Sequence, residues 1–206
     1  MTKVGFILYK EKNKMNNYTE SPEKYKEIEE INLMKDKKLM FLINSVAIAI
    51  MILMFILGHV IVPISTLFNF DNGLFVYCIR IAALLLGYVA YIFLHEFVHG
   101  IFMKKFGKIK VNYGFNGLYA YAGSKAYFNR KSYIITALAP IIVWGIILLI
   151  LNFIVPTSWF WVIYFIQIGN ISGAAGDIYV TIHMMKKSDD ILIQDSGFNM
   201  KIFSAK

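Results

Sequence analysis

Residues 74–103 read LFVYCIRIAALLLGYVAYIFLHEFVHGIFM, and this stretch decides the fold. Its charged and histidine side chains are Arg80, His95, Glu96 and His99. A bilayer core about 30 Å thick is crossed by about 20 apolar residues in a helix. The stretch is therefore predicted to be a membrane-spanning helix with a polar group near one end. The composition agrees, because 58% of the 206 residues are hydrophobic and 17% are charged, whereas soluble domains are about 45–50% apolar.

Further apolar stretches of membrane-spanning length cover residues 39–61, 133–155 and 159–185. The predicted fold class is an all-α membrane protein, a four-helix transmembrane bundle that occupies residues 39–185. Residues 1–38 and 186–206 are predicted to be cytoplasmic segments at the two ends of the chain. A soluble helical protein is excluded, because a chain of this length cannot cover four such helices with polar layers.

The positions of lysine and arginine predict the orientation of the four spans. Nine lysines precede the first span, and seven lysines and arginines lie in residues 104–132. The connection at residues 62–73 contains one charged residue, Asp71, and the turn at residues 156–158 contains none. Because cytoplasmic loops hold the excess of basic residues, both termini are predicted to be cytoplasmic in a multi-pass protein of the plasma membrane. The net charge of +8 is then a topology signal with some attraction to anionic lipid, and a nucleic-acid partner is excluded.

Two short β-hairpins are predicted outside the spans. Residues 108–113 and 118–122 alternate between apolar and polar or small side chains around the turn signal Asn116-Gly117, which predicts a small cytoplasmic hairpin between spans two and three. Residues 191–194 and 198–203 flank a second turn signal near the C-terminus. Residues 21–31 begin with Ser-Pro-Glu and predict an amphipathic helix, placed either at the membrane surface or against the C-terminal tail.

The second span contains the motif His95-Glu96-Phe97-Val98-His99. Histidines four residues apart share one face of a helix and can both bind zinc, while the glutamate lies beside the metal as a general base. The structural alternative is a hydrogen-bonded polar trio that stabilises the helix bundle. A metal ion is the stronger interpretation, because a glutamate between two histidines needs positive compensation in hydrocarbon.

A catalytic zinc site needs a third protein ligand, and Asp177 is the candidate. His95 lies nine residues before Lys104, and Asp177 lies nine residues before Lys186. Both spans run towards the cytoplasm, so both side chains are expected about 13 Å from their basic boundary. His183 is the competing ligand, but it lies nearly two turns closer to the cytoplasm than Asp177.

Three other residues within the spans receive predicted roles. Asn170 lies two turns before Asp177 on the same face, where it is expected to bind substrate or to contact a metal ligand. Pro140 is expected to kink the third span. Arg80 is expected to extend its side chain to the outer interface.

Together these motifs resemble a known family. The pattern of His95-Glu96-Phe97-Val98-His99-Gly100, a β-like segment, Leu138-Ala139-Pro140 and the run from Asn170 to Asp177 is similar to the bacterial family of putative zincin peptidases, whose function is unknown. More distantly it resembles the site-2 protease class of intramembrane zinc metalloproteases. That resemblance implies a three-span core in which His95, His99 and Asp177 are metal ligands and Glu96 is the base.

The predicted function is a membrane-embedded zinc metalloprotease that cleaves peptide bonds near the cytoplasmic side of the bilayer. Its expected cofactor is Zn²⁺, and its expected partners are the lipid bilayer and a membrane protein or peptide substrate. Two alternatives stay open at this point: a zinc-dependent hydrolase of a lipid-linked substrate, and a non-catalytic membrane interaction protein with a structural metal. The sequence determines neither the substrate nor the oligomeric state.

Overall fold

The structure is a computed structural model that describes residues 17–32, 35–115, 117, 119–197 and 199–205. Residues 1–16 of the N-terminal segment and Asn116 of the predicted turn lie outside these residues. Among the described residues, three helices are long and apolar enough to cross a membrane. They are α1 (Lys37–Ile61), α2 (Gly73–Gly107) and α3 (Arg130–Ile154). These helices support membrane association and match the first three predicted spans.

The fourth predicted span is not one continuous helix. Residues 159–185 instead form α4 (Phe160–Gly173) and α5 (Ala175–Met185), with a break at Ala174. Two causes lie in the sequence at this point. Glycine weakens a helix interior, and the Ser172 hydroxyl donates to the Ile168 carbonyl at 2.7 Å, competing with the helical hydrogen bond. The break begins a new helix just before Asp177, which therefore lies in the first turn of α5.

A four-stranded antiparallel sheet gathers three distant parts of the chain. Its strands are β1 (Lys26–Ile31), β4 (Tyr127–Asn129), β5 (Ile191–Asp195) and β6 (Met200–Ser204), in the order β1-β6-β5-β4. Strands β5 and β6 form the hairpin predicted near the C-terminus. The helix predicted for residues 21–31 is wrong, because this segment pairs with β6, where Glu30 lies opposite Lys201.

A separate two-stranded sheet follows α2. Strand β2 (Val111–Phe115) pairs antiparallel with β3 (Ala120–Ser124), in the stretch where the first hairpin is predicted. The sheet packs on α2, where the Phe97 and Tyr113 rings stack at 6.4 Å between centroids. A Cβ atom on Gly100 would lie 1.9 Å from the Tyr113 hydroxyl. The glycine that follows the histidine motif therefore permits this close packing.

Arg80 extends its side chain to the two connections that are predicted to lie on the outer side, and it is buried there. Its side chain is 1% exposed, and its guanidinium donates to the carbonyls of Thr66 at 3.3 Å and Ser158 at 3.0 Å. It also donates to the Asn69 carbonyl. The reason is geometric, because the planar fork of donors can satisfy several main-chain carbonyls at once. Arg80 thus joins the α1–α2 connection to the α3–α4 connection.

Candidate metal centre

The structure brings together three side chains that are far apart in sequence. The Nε2 atom of His95 lies 3.4 Å from Oδ2 of Asp177, and Nε2 of His99 lies 3.6 Å from Oδ1. The potential ligand atoms of all three residues lie within 4.8 Å of one another. His95 and His99 are one helical turn apart on α2, so both rings face the first turn of α5.

The spacing of these atoms is longer than that of direct hydrogen bonds and leaves room for a metal ion between the three side chains. An N–H···O hydrogen bond is normally about 2.7–3.2 Å long, which is shorter than both distances. A tetrahedral zinc separates neighbouring ligand atoms by about 3.3–3.6 Å, and with one ligand atom from each residue the three atoms lie within 4.8 Å of one another. Two imidazoles and one carboxylate are also a donor set that zinc binds. The residues present therefore fit a zinc ion.

The second nitrogen of each imidazole has its own partner. Nδ1 of His99 lies 2.9 Å from the main-chain carbonyl oxygen of Thr136 on α3. Nδ1 of His95 lies 2.8 Å from the Tyr91 hydroxyl, one turn earlier on α2. Such contacts orient a histidine ring and leave Nε2 for a metal.

Asn170 lies behind the metal centre and not in the cavity beside it. Its side chain is completely buried, its Oδ1 accepts from the Tyr91 hydroxyl at 3.0 Å, and its Nδ2 donates to the Ile141 carbonyl at 3.2 Å. The predicted substrate-binding role does not fit this position. The other expectation for Asn170, contact with a metal ligand, is met only indirectly, through Tyr91 to His95.

A cavity of about 620 Å³ opens beside the three candidate ligands. Glu96 lines it together with His95, His99 and Asp177. The Glu96 carboxylate accepts a hydrogen bond from the backbone N–H of Ala122 on β3. The cavity also extends between residues 40–47 of α1 and residues 88–92 of α2. The predicted base and the candidate ligands therefore share one chamber.

His183 lies outside this cluster. Its Nε2 atom is 2.8 Å from Oε1 of Glu29, and Lys187 contacts the other oxygen of the same carboxylate. Burial alone would raise the pKa of Glu29, but the hydrogen bond from Lys187 and the nearby charges of both basic residues lower it overall. The competing ligand suggested by the sequence therefore joins α5 to the four-stranded sheet.

The cavity lining includes a buried hydrogen-bonded carboxyl group, that of Asp195, for which the sequence predicts no role. Tyr133 donates to Oδ2 of Asp195 at 2.8 Å, and the N–H of Gly197 donates to Oδ1 at 2.8 Å. Burial raises the pKa of the Asp195 carboxyl. Asp195 lies at a turn signal, which predicts a hairpin but gives no indication that the turn lies beside a metal centre.

Comparison with protein-family models gives a match over residues 88–192, just over half of the chain. The matching family is described as "Putative zincin peptidase". The chain belongs to this family. No curated protein and no solved structure matches it. The matched region of this zincin peptidase family member contains the candidate ligands, Glu96 and the residues that contact both imidazoles.

Proposed function

We propose that this protein is a membrane-embedded zinc metallopeptidase that cleaves its substrate near the cytoplasmic side of the bilayer. The observation that carries the proposal is the cluster of His95, His99 and Asp177 at zinc-ligand spacing, with Glu96 in the same cavity. These two histidines and the aspartate would hold the ion. Bound zinc would polarise the scissile carbonyl and lower the pKa of the attacking water to about 7.

Glu96 acts as the general base in this proposal. Its carboxylate takes a proton from water as the water oxygen bonds to the scissile carbonyl carbon. The same proton then passes to the leaving nitrogen as the C–N bond breaks, so water adds across the amide without any redox change. The Ala122 N–H holds the Glu96 carboxylate in place for both transfers.

The proposed depth follows from the position of the ligands along their helices. His95 lies nine residues before Lys104 on α2, about 13 Å at 1.5 Å per residue. With the basic end of α2 in the cytoplasm, the metal centre lies within the inner half of the bilayer and both chain ends are cytoplasmic. The substrate is then a membrane protein or a membrane-bound peptide.

A peptide bond in a helix is inaccessible, so the substrate is proposed to bind as an extended segment. Strand β2 pairs with β3 on one side, and within the described residues no strand pairs with its other side. An edge of this kind binds extended peptides through main-chain hydrogen bonds. The edge belongs to the sheet that holds Glu96 through Ala122.

A structural metal would be expected to have four protein ligands. Among the residues that the structure describes, the cluster has three, and His183 pairs with Glu29. Three ligands leave a position for water, which favours catalysis over a structural role.

The test reconstitutes the zinc-loaded protein in liposomes with reporter proteins that each have a single transmembrane segment. Cleavage in ¹⁸O-labelled water is followed by mass spectrometry, which detects the label in the new carboxyl terminus. Glu96→Gln is expected to keep bound zinc and to lower the cleavage rate about 10²- to 10⁴-fold. The matched control, Glu20→Gln at an exposed position, is expected to cleave like the wild type.

Equal cleavage by the wild type and Glu96→Gln would refute the assigned base, and failure of the wild type to bind zinc would refute the metallopeptidase. Turnover of a lipid-linked substrate that depends on Glu96, without cleavage of any reporter, would instead support the lipid alternative.

A further inference from the structure

Helix α3 supplies none of the three candidate ligands, yet its main chain contacts the environment of both histidines. Pro140 lies inside this helix. Proline has no backbone N–H, so the carbonyl four residues earlier, that of Thr136, lacks its helical donor. That carbonyl oxygen is the partner of His99 Nδ1 at 2.9 Å.

The contact determines which nitrogen of His99 carries hydrogen. A carbonyl oxygen can only accept, so Nδ1 must be the donor. In the neutral ring Nε2 is then unprotonated, and this atom faces Asp177. Pro140 thus leaves the Thr136 carbonyl free to accept from Nδ1 of His99, so that Nε2 is available to bind a metal.

A longer chain of contacts produces the same result at His95. The Ile141 carbonyl accepts from Nδ2 of Asn170, which turns Oδ1 of the amide towards Tyr91. The Tyr91 hydroxyl gives its single hydrogen to that Oδ1 atom. Its oxygen is then the acceptor for His95 Nδ1, which leaves Nε2 of the neutral ring unprotonated.

We propose that the carbonyls of Thr136 and Ile141 on α3 set the tautomers of both histidines, and that Pro140 and Asn170 are positioning residues for the metal centre. The inference rests on the proposed zinc role. Neither residue touches the metal or the substrate in this proposal, because each acts through a hydrogen-bond partner of an imidazole.

The first test is Pro140→Ala, with zinc affinity measured by competition against a chromophoric chelator in detergent. The new N–H at position 140 competes for the Thr136 carbonyl, so zinc binding is expected to weaken about 10- to 100-fold. The melting temperature of the zinc-free protein is not expected to fall, because an interior proline is removed from a helix. Loss of affinity without loss of stability separates positioning from a folding defect.

The matched control for this variant is Pro156→Ala, which lies in the α3–α4 connection and is expected to bind zinc like the wild type. Wild-type zinc affinity in Pro140→Ala would overturn the role of Pro140.

The second test is a double-mutant cycle of Asn170→Leu and Tyr91→Phe. Asn170→Leu frees the Tyr91 hydrogen to turn towards His95, so zinc affinity is expected to fall about tenfold or more. In the Tyr91→Phe background the same change is expected to have no further effect, because it acts through the hydroxyl. Additive losses would indicate a merely structural role and would overturn the relay. Asn152→Leu, which replaces a partly buried amide on α3, is the control.

The third measurement is histidine-selective ¹⁵N NMR of zinc-free Asp177→Ala protein at about pH 8.5, two units above the ordinary histidine pKa. His95 and His99 are expected as Nδ1–H tautomers, and Nε2–H signals for both would overturn the inference. If the wild type binds no zinc while these tautomers are found, the proposed function and the positioning role at a metal centre fail, and only the assignment of the tautomers stands. If zinc binds and the tautomers and affinities do not respond to the variants, the positioning inference alone fails.

Discussion

Replacement of Asp177 by asparagine is the most direct perturbation of the candidate metal centre. The change keeps the size of the side chain and removes one negative charge. The two carboxylate oxygens lie 3.4 and 3.6 Å from the Nε2 atoms of His95 and His99. Without the carboxylate, two neutral imidazoles remain as ligands, and zinc affinity is expected to fall strongly.

The magnitude follows from the charge and the distances. Two unit charges about 4 Å apart interact by about 4 kcal/mol at an effective dielectric constant of about 20. A divalent ion carries twice that charge, and a ligand lies closer than this distance, so about 4 kcal/mol is a lower estimate. This corresponds to zinc binding that is weaker by at least about 700-fold in Asp177→Asn, because about 1.4 kcal/mol changes an affinity tenfold.

The assay titrates zinc into metal-free protein in detergent against a chelator of known affinity, and elemental analysis gives the stoichiometry. His183→Ala is the control that discriminates between the two candidate ligands, and it is expected to keep wild-type affinity because His183 pairs with Glu29. Asp177→Asn binding within tenfold of the wild type would refute the assigned ligand. An equally strong loss in His183→Ala would point to the other histidine.

Three further predictions concern the frame around the site. Arg80→Met should lower the free energy of unfolding in SDS by about 3–5 kcal/mol, because buried carbonyls lose a charged donor. Arg80→Lys should lower it less. A loss below about 1 kcal/mol in Arg80→Met would contradict the role of Arg80 as the donor to these carbonyls. The lowered pKa of Glu29 means that its contribution to stability is present above the ordinary glutamate pKa of about 4.3 and is lost as the pH falls through the lower folded value. As the pH falls from about 5 to 3, the melting temperatures of the wild type and Glu29→Gln should therefore converge. A difference in melting temperature that does not change with pH would refute the assignment. Gly100→Ala should lower the free energy of unfolding by about 1–3 kcal/mol, because its Cβ atom is forced against Tyr113. In a Tyr113→Ala background the same change should lower it much less. Equal losses in both backgrounds would show that Tyr113 is not the obstacle.

The first three long helices could be predicted because the length and the apolar character of a helix depend on local composition. Residues 39–61, 74–103 and 133–155 are long apolar runs, and the structure has long apolar helices at each of them. The interruption at Ala174 was not predicted, since hydropathy averages over glycine and serine without registering a change in hydrogen bonding. The helix predicted for residues 21–31 is wrong for a different reason. Its partner strand β6 lies about 170 residues away, and local patterns contain no information on that pairing.

Two kinds of information predicted the candidate site to different extents. Helical spacing places His95 and His99 on one face, and the count of residues to the basic boundaries predicts the depth of Asp177. Neither kind predicts which residues of other helices contact a side chain in the folded protein. Asn170 was expected to bind substrate, and the structure instead places it against Tyr91 and the Ile141 carbonyl.

The sequence by itself determined the long apolar helices of this protein, the histidine motif on one helical face and the aspartate expected at matching depth. These follow from residue spacing along single helices and from the cost of placing charge in hydrocarbon. Only the tertiary structure decided that Asp177, and not His183, faces the two histidines, and that a carbonyl of α3 contacts Nδ1 of His99 while Tyr91 contacts Nδ1 of His95. The physical reason is that metal ligation and hydrogen bonding act over about 2–3 Å. Contacts of this length depend on how helices and strands pack against one another, which the spacing of residues within one segment does not specify.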